Sequence, residues 1–200
     1  MPITKGSSYG EPGPVPDGLV VVRTDAEARA VLEEARRQRL PYPTLGLLGG
    51  DLCRTLGGGT GPELSGVQFP VDLGVVLADG RLYLFVASLV ARSRLWTRAF
   101  VAMNAQFLGR QGWNAGPRAH PGDGLLDTYD VRLKAGQLLA VRARLPNGSH
   151  LPHPGIRERR APAVQVELDR PLPLRLDGES VGRARVLSVR VEPDALVVFI

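Results

Sequence analysis

The first candidate for a ligand-binding site is a glycine-rich segment, GGDLCRTLGGGTG, at positions 49–61. It follows an apolar run that is typical of a strand, and glycine at such a place lets the backbone approach a bound phosphate closely. A Walker loop is excluded, because it needs a lysine and none lies between Lys5 and Lys134. A dinucleotide fingerprint is also a poor match, since Pro62 and Gly66 interrupt the helix it would open. The segment is therefore either an unusual phosphate loop or a turn that only packs.

An acidic turn, DGLLD, forms the second candidate. Asp123 and Asp127 flank it, and hard cations such as Mg²⁺ bind several oxygen ligands, to which a turn can add backbone carbonyls. His120, three residues earlier, is a poor ligand for a hard cation. The alternative is a plain hairpin turn, because Asp-Gly before an apolar strand is typical of one.

A third candidate lies near the end of the chain, where Asp177 and Glu179 are two residues apart. Residues i and i+2 of a strand share a face, so both carboxylates could point into one site. A carboxylate placed there could act as a general base, given suitable geometry. A polar turn at the end of a strand explains the same residues without chemistry.

Histidines and arginines cluster between positions 150 and 160. His150 and His153 have the His-x-x-His spacing, but Pro152 and Pro154 prevent a helix there, which argues against a metal site. The arginines of segment 157–160 either form a solvated loop or receive an anionic headgroup or phosphate. Because no aromatic residues are interleaved with them, we expect no nucleic-acid partner.

Composition narrows the class of protein. The 200 residues carry a net charge of +5, and only two of the 25 basic residues are lysines. Arginine favours bidentate contacts with carboxylates and phosphates, which favours an anionic small molecule as ligand. A general preference for arginine over lysine explains the same composition. Cys53 is the single cysteine and is expected to be a small buried hydrophobe, which fits a reducing compartment. No segment is typical of a secretory signal or a membrane span, so the sequence predicts a cytoplasmic protein.

The elements that must position these residues fall into three parts. Residues 1–17 are rich in glycine and proline and predict a flexible arm. Residues 18–66 predict a β-α-β unit with parallel strands, whose helix is capped by Thr24 or Asp25. Residues 67–200 predict an antiparallel β-sandwich that includes QLLAVRARL as a strand and a hairpin at Asp79-Gly80.

The fold class is therefore α+β: a small N-terminal β-α-β unit and a larger antiparallel β-sandwich. One β-α-β unit cannot cover both faces of its own parallel sheet, which predicts packing on the sandwich or on a second copy. We therefore expect a homo-oligomer.

Three short motifs together resemble the diacylglycerol kinase and bacterial lipid kinase family. They are LLGGD, HPGDGLLD and LDGESVG, and they occur in the order and β-rich context typical of that family. The resemblance implies a truncated nucleotide-binding domain followed by the family's β-sandwich domain. It also implies ATP and Mg²⁺ as cofactors and a lipid hydroxyl as acceptor.

The same resemblance implies roles for particular residues. Gly49, Gly50 and Asp51 would lie under the ATP phosphates, Asp123 and Asp127 would hold a structural Mg²⁺, and Asp177 would be the general base, assisted by Glu179. The sequence departs from the family at Leu52 and Cys53, which replace a glycine and a threonine, and at His120, which replaces an acid. Two hypotheses remain: an ATP-dependent lipid kinase-like phosphotransferase, or a non-catalytic relative that acts as a ligand-binding or assembly module.

Overall fold

Strands predominate in residues 9–59 and 63–200, which the computed structural model describes. The three α-helices are α1 (Asp25–Gln38), α2 (Gly50–Thr55) and α3 (Ala135–Arg144). The strands are β1 (Glu11–Pro12), β2 (Val20–Val22), β3 (Leu45–Leu47), β4 (Val67–Ala78), β5 (Arg81–Phe85), β6 (Ser88–Arg92), β7 (Arg98–Met103), β8 (Phe107–Leu108), β9 (Trp113–Asn114), β10 (Leu126–Arg132), β11 (Ile156–Ala161), β12 (Ala163–Leu176) and β13 (Glu179–Phe199).

The N-terminal β-α-β unit forms as the sequence predicts. The strands β2 and β3 are parallel, with Val20 opposite Leu45, and α1 crosses between them. Thr24 is the N-cap, because its hydroxyl accepts a hydrogen bond from the Glu27 N–H at 3.1 Å. The buried face of α1 includes Ala28 and Leu32.

One hydrogen-bonded sheet joins this unit to the sandwich. Strand β3 has β2 on one side and β13 on the other, where Val198 pairs in parallel with Leu45. The same core cluster holds Leu32 of α1, Val71 of β4 and Leu196 of β13. Packing on the sandwich, one of the two arrangements expected for this unit, is therefore present within a single chain.

Two Asp-Gly pairs form tight hairpins with both residues at positive φ. Asp79-Gly80 (φ 45° and 86°) joins β4 to β5, and Asp177-Gly178 (φ 51° and 83°) joins β12 to β13. Aspartate tolerates this left-handed conformation and glycine prefers it, as in type I′ turns. The hairpin predicted at Asp79-Gly80 is confirmed.

Two segments differ from their sequence-based description. The segment predicted as the strand QLLAVRARL lies mainly in helix α3, because its alanine, leucine, glutamine and arginine residues are strong helix formers. Its Leu138, Val141 and Leu145 recur at three and four residues and pack on one cluster.

The glycine-rich segment opens a short helix, α2, rather than remaining a turn. Residues 1–8 of the predicted arm lie outside the described residues, and β1 pairs with β4.

Candidate functional site

The two glycines at the start of the glycine-rich segment are in close contact with α1 and the residues before it. A Cβ atom on Gly49 would lie 2.5 Å from the Arg23 carbonyl oxygen, and one on Gly50 would lie 2.5 Å from Asp25 Oδ1. Gly50 also has a φ of 100°, a conformation that favours glycine. The close approach that this segment allows is therefore to another part of the same chain.

Asp25 caps the start of α2. Its carboxylate accepts hydrogen bonds from the backbone N–H groups of Asp51 at 2.6 Å and Leu52 at 3.1 Å. These are among the first N–H groups of the helix, which have no partner within the helix itself. Asp25 is buried, and that burial raises its pKa to about 6. The donors that a nucleotide phosphate would use here are engaged by a carboxylate of the protein.

Asp51 also has partners within the chain. Its carboxylate accepts hydrogen bonds from the Gly109 N–H at 2.6 Å and from the Arg54 guanidinium at 3.1 Å. It therefore fastens α2 to the loop that follows β8. The assignment of Gly49, Gly50 and Asp51 to ATP stays a prediction.

Asp177 binds three consecutive backbone N–H groups. Its Oδ2 accepts from Val86 at 3.0 Å, and its Oδ1 accepts from Ala87 at 2.9 Å and Ser88 at 3.1 Å. The side chain is fully buried. Burial, followed by the nearby charge of Asp25, raises its pKa to about 7. In this geometry the carboxylate fixes the connection between β5 and β6, and it faces the protein backbone.

Arg29 brings Asp177 and Glu179 together. Its Nη2 donates to Glu179 Oε2 at 2.7 Å, and its Nε lies 3.8 Å from Asp177 Oδ2. Its Nη1 lies 3.6 Å from Glu33 Oε1. Asp177 lies in the turn between β12 and β13 and not on one strand face with Glu179, and the roles predicted for the two carboxylates stay predictions. Sequence reasoning missed Arg29, although its place beside the apolar stripe of α1, next to Ala28, is a signal for a buried charge.

These buried carboxylates predict an unusual pH dependence. Because the pKa values of Asp25 and Asp177 are raised to about 6 and about 7, the folded state binds more protons than the unfolded state between about pH 4 and pH 7. The free energy of unfolding should therefore fall by about 1–2 kcal/mol as the pH rises from 6 to 8.

Chemical denaturation at half-unit pH intervals measures this change. Burial lowers the pKa values of His120 and His150, which acts in the opposite sense up to about pH 7.5, because unfolded histidine titrates near pH 6.5. The net fall across the window from pH 6 to 8 should therefore lie at or below the lower end of this range. A protein that gained stability across that window would contradict the prediction.

The acidic turn holds an arginine between its two carboxylates. Arg160 of β11 forms a salt bridge with Asp123 and places its Nε 3.7 Å from Asp127 Oδ1. Asp127 is buried, its oxygens accept no hydrogen bond from any described residue, and burial raises its pKa to about 6. In residues 9–59 and 63–200 no three metal-binding side chains group together. These residues do not fit a metal ion well, because a fixed cation already neutralises them; the metal assignment stays a prediction.

An apolar cavity of about 350 Å³ lies between α3 and the face of the sheet formed by β7 and β10. Its walls are mostly aromatic and aliphatic, and they include Trp96, Trp113, Val101, Leu138 and Val141. Sequence reasoning missed this cavity, because α3 was predicted as a strand. The spacing of Leu138, Val141 and Leu145 is the signal that could have revealed a helix with one apolar face.

Two buried polar groups line the same cavity. The Tyr129 hydroxyl and the His150 Nδ1 have no hydrogen-bond partner in the part of the chain that the structure describes. Burial lowers the pKa of His150, which keeps its imidazole neutral at physiological pH. Buried polar atoms are nearly always hydrogen-bonded in proteins, so these two atoms are exceptions within the described residues.

The sequence matches a family model over the sandwich. The model describes the YegS C-terminal NAD kinase beta sandwich-like domain and matches residues 76–200. The chain belongs to this family. The match confirms the resemblance to lipid kinases and the α+β fold with its β-sandwich, and the matched residues of this chain include the acidic turn, Asp177 and the residues that line the apolar cavity.

Solved structures of related fold support the same conclusion. Two structures provisionally named a diacylglycerol kinase, from Bacillus anthracis strain Sterne, share 15% identity with this chain at a TM-score of 0.60, covering 88% of it and 83% of their own chains. A third, named a diacylglycerol kinase from the same strain, has 16% identity and a TM-score of 0.53, with 78% and 66% covered. At this identity the likeness shows a common fold. No curated protein matches the sequence.

The described part of the chain has no helix that is both long and apolar enough to cross a bilayer.

Proposed function

We propose that this member of the family binds a single-chain amphiphile with an anionic or hydroxyl-bearing headgroup and does not transfer phosphate. The observation that carries the proposal is the apolar cavity beside α3, whose lining includes two residues with buried polar atoms that have no partner among the described residues. This is the second of the two hypotheses that the sequence left open, a non-catalytic relative that binds a ligand.

The size and lining of the cavity suit one alkyl chain. Ligand pockets usually enclose about 300–1,000 Å³ and combine apolar walls with a few polar groups that orient the ligand. The volume here, about 350 Å³, lies at the lower end of that range and favours one chain over two. We infer that Tyr129 and His150, which line the cavity and carry buried polar atoms without a described partner, hydrogen-bond the ligand. Arg94 and Arg142 add positive charge to the lining.

The groups that phosphoryl transfer would need are engaged elsewhere. That reaction requires donors around the phosphates and a carboxylate that reaches the attacking hydroxyl. Here the N–H groups of Asp51 and Leu52 donate to Asp25, and Asp177 accepts three backbone hydrogen bonds while fully buried. These contacts support binding without catalysis.

Displacement of a fluorescent fatty acid by unlabelled long-chain fatty acids and monoacylglycerols tests the proposal. We expect saturable binding to the wild-type protein and a clear loss of affinity in Leu138→Trp, because the larger indole would obstruct the cavity. Ala140→Trp is the matched control, since Ala140 is exposed on the same helix and does not line the cavity. Tyr129→Phe should weaken binding about 2- to 10-fold, the usual worth of one hydrogen bond. Equal binding by Leu138→Trp and wild type would place the ligand elsewhere.

A phosphorylation assay tests the other half of the proposal. With ATP-Mg²⁺ and diacylglycerol or monoacylglycerol in mixed micelles, we expect no phosphorylated lipid above a reaction without protein. We also expect no change in melting temperature at millimolar ATP-Mg²⁺. Product formation that Asp177→Asn abolishes would restore the kinase hypothesis and overturn this one.

A further inference from the structure

Two leucines protrude at the mouth of the cavity. Leu139 on α3 is 79% exposed and Leu95, between β6 and β7, is 66% exposed, the highest values for large apolar side chains in the described ranges. Both line the cavity, although they come from separate elements. An exposed leucine is common on its own, but two at one opening form an apolar rim that calls for an explanation.

The same rim is positively charged. Arg94 and Arg142 also line the opening, and neither forms an ion pair with any residue that the structure describes. The guanidinium of Arg142 lies 5.6 Å from the ring centre of Trp113. The segments 80–122 and 133–157, from which these rim residues come, contain no aspartate or glutamate. Their charge is therefore not compensated by acidic neighbours in sequence.

We propose that this rim, formed by Arg94, Leu95, Leu139 and Arg142, docks onto the surface of an anionic lipid bilayer. Leucines at an interface bury their side chains among the acyl chains, while arginines beside them contact lipid phosphates. The cavity then opens toward the membrane, where an amphiphile can enter it. Only the entry of the amphiphile depends on the proposed function; the docking itself depends on the rim.

Charge favours a bilayer over a second copy of the chain. In a two-fold symmetric dimer the same patch lies on both subunits, so the arginines of one rim would approach those of the other. Such like-charge contacts oppose association. An anionic bilayer offers the complementary charge together with an apolar interior, which accounts for both kinds of side chain at the rim.

Vesicle co-sedimentation tests the docking. We expect the wild-type protein to bind vesicles of phosphatidylcholine with 30% phosphatidylglycerol at least tenfold more tightly than pure phosphatidylcholine, and to be released by salt. Arg94→Gln with Arg142→Gln should weaken binding about thirtyfold, given about 1 kcal/mol for each charge near the surface. Leu95→Asp with Leu139→Asp should weaken it at least tenfold. Leu40→Asp is the matched control, because Leu40 is 57% exposed and lies away from the rim.

The possible outcomes separate the two proposals. If Leu138→Trp no longer binds the fatty acid but still binds vesicles, docking stands and is independent of the cavity. If the wild-type protein binds the fatty acid but not vesicles, docking is overturned and the proposed function stands. An equal loss in Leu40→Asp would also overturn it. Light scattering that shows a dimer dissociated by Leu139→Asp would overturn docking, because it would identify the rim as an interface between copies of the chain.

Discussion

Replacing Asp177 with alanine is expected to lower the free energy of unfolding by roughly 3–6 kcal/mol. Three backbone N–H groups, those of Val86, Ala87 and Ser88, would lose their shared acceptor in the interior, and each unsatisfied donor costs about 1–3 kcal/mol. Alanine also tolerates the left-handed conformation of this position less well than aspartate. Urea denaturation at pH 6 measures the change.

Two further variants distinguish loss of the buried hydrogen-bond acceptor from an effect of the turn itself. Asp177→Asn should lose only about 1–3 kcal/mol, since an amide keeps one acceptor oxygen and suits the turn. Asp79→Ala is the control, because Asp79 occupies the same kind of turn and accepts two backbone N–H groups, but is exposed; its loss should be much smaller. If Asp177→Ala is as stable as Asp79→Ala, the structural role we assign to Asp177 is wrong.

Replacing Arg160 with methionine is expected to cost about 1–3 kcal/mol at pH 8. The substitution leaves the buried carboxylate of Asp127 without its nearest cation, and breaking a buried ion pair by removing one partner typically costs about 3–5 kcal/mol. We expect less here, because a third of the Arg160 side chain is exposed. The cost should shrink toward pH 5 as Asp127 becomes protonated. Thermal and urea unfolding at the two pH values measure it.

The double variant Arg160→Met, Asp127→Asn provides the control. Removing both charges should restore most of the lost stability, since no unpaired charge then remains. The wild-type protein should melt at the same temperature with Mg²⁺ as with a chelator. Stabilisation of the wild type by Mg²⁺ would show that a metal binds despite Arg160, as the sequence-based assignment holds.

Local signals in the sequence were sufficient for much of the fold. The cap at Thr24, the Asp79-Gly80 turn and the parallel pairing of β2 with β3 all follow from residues close together in sequence. Helix α3 was misread for the opposite reason. Its Val141-Arg142-Ala143-Arg144 stretch alternates like a strand, whereas the spacing of Leu138, Val141 and Leu145 indicates the helix that packs over the cavity.

The candidate site could not be predicted in the same way, because its contacts join distant parts of the chain. Asp25 caps a helix that begins 25 residues later, Arg29 contacts Glu179, and Arg160 contacts Asp123. An aspartate that caps a helix cannot be distinguished by sequence alone from an aspartate that takes part in catalysis. Only the tertiary structure reveals which donors each aspartate faces.

The pairing of β3 with β13 also has a consequence for synthesis on the ribosome. Leu45 meets its partner Val198 only after more than 150 further residues have been added, so one edge of the parallel unit stays uncovered while the sandwich is being made. Contacts of such long sequence separation form slowly, and unpaired strand edges promote aggregation. The β-α-β unit is therefore translated well before the strand that completes its sheet, and we expect the edge of β3 to stay open until β13 is made.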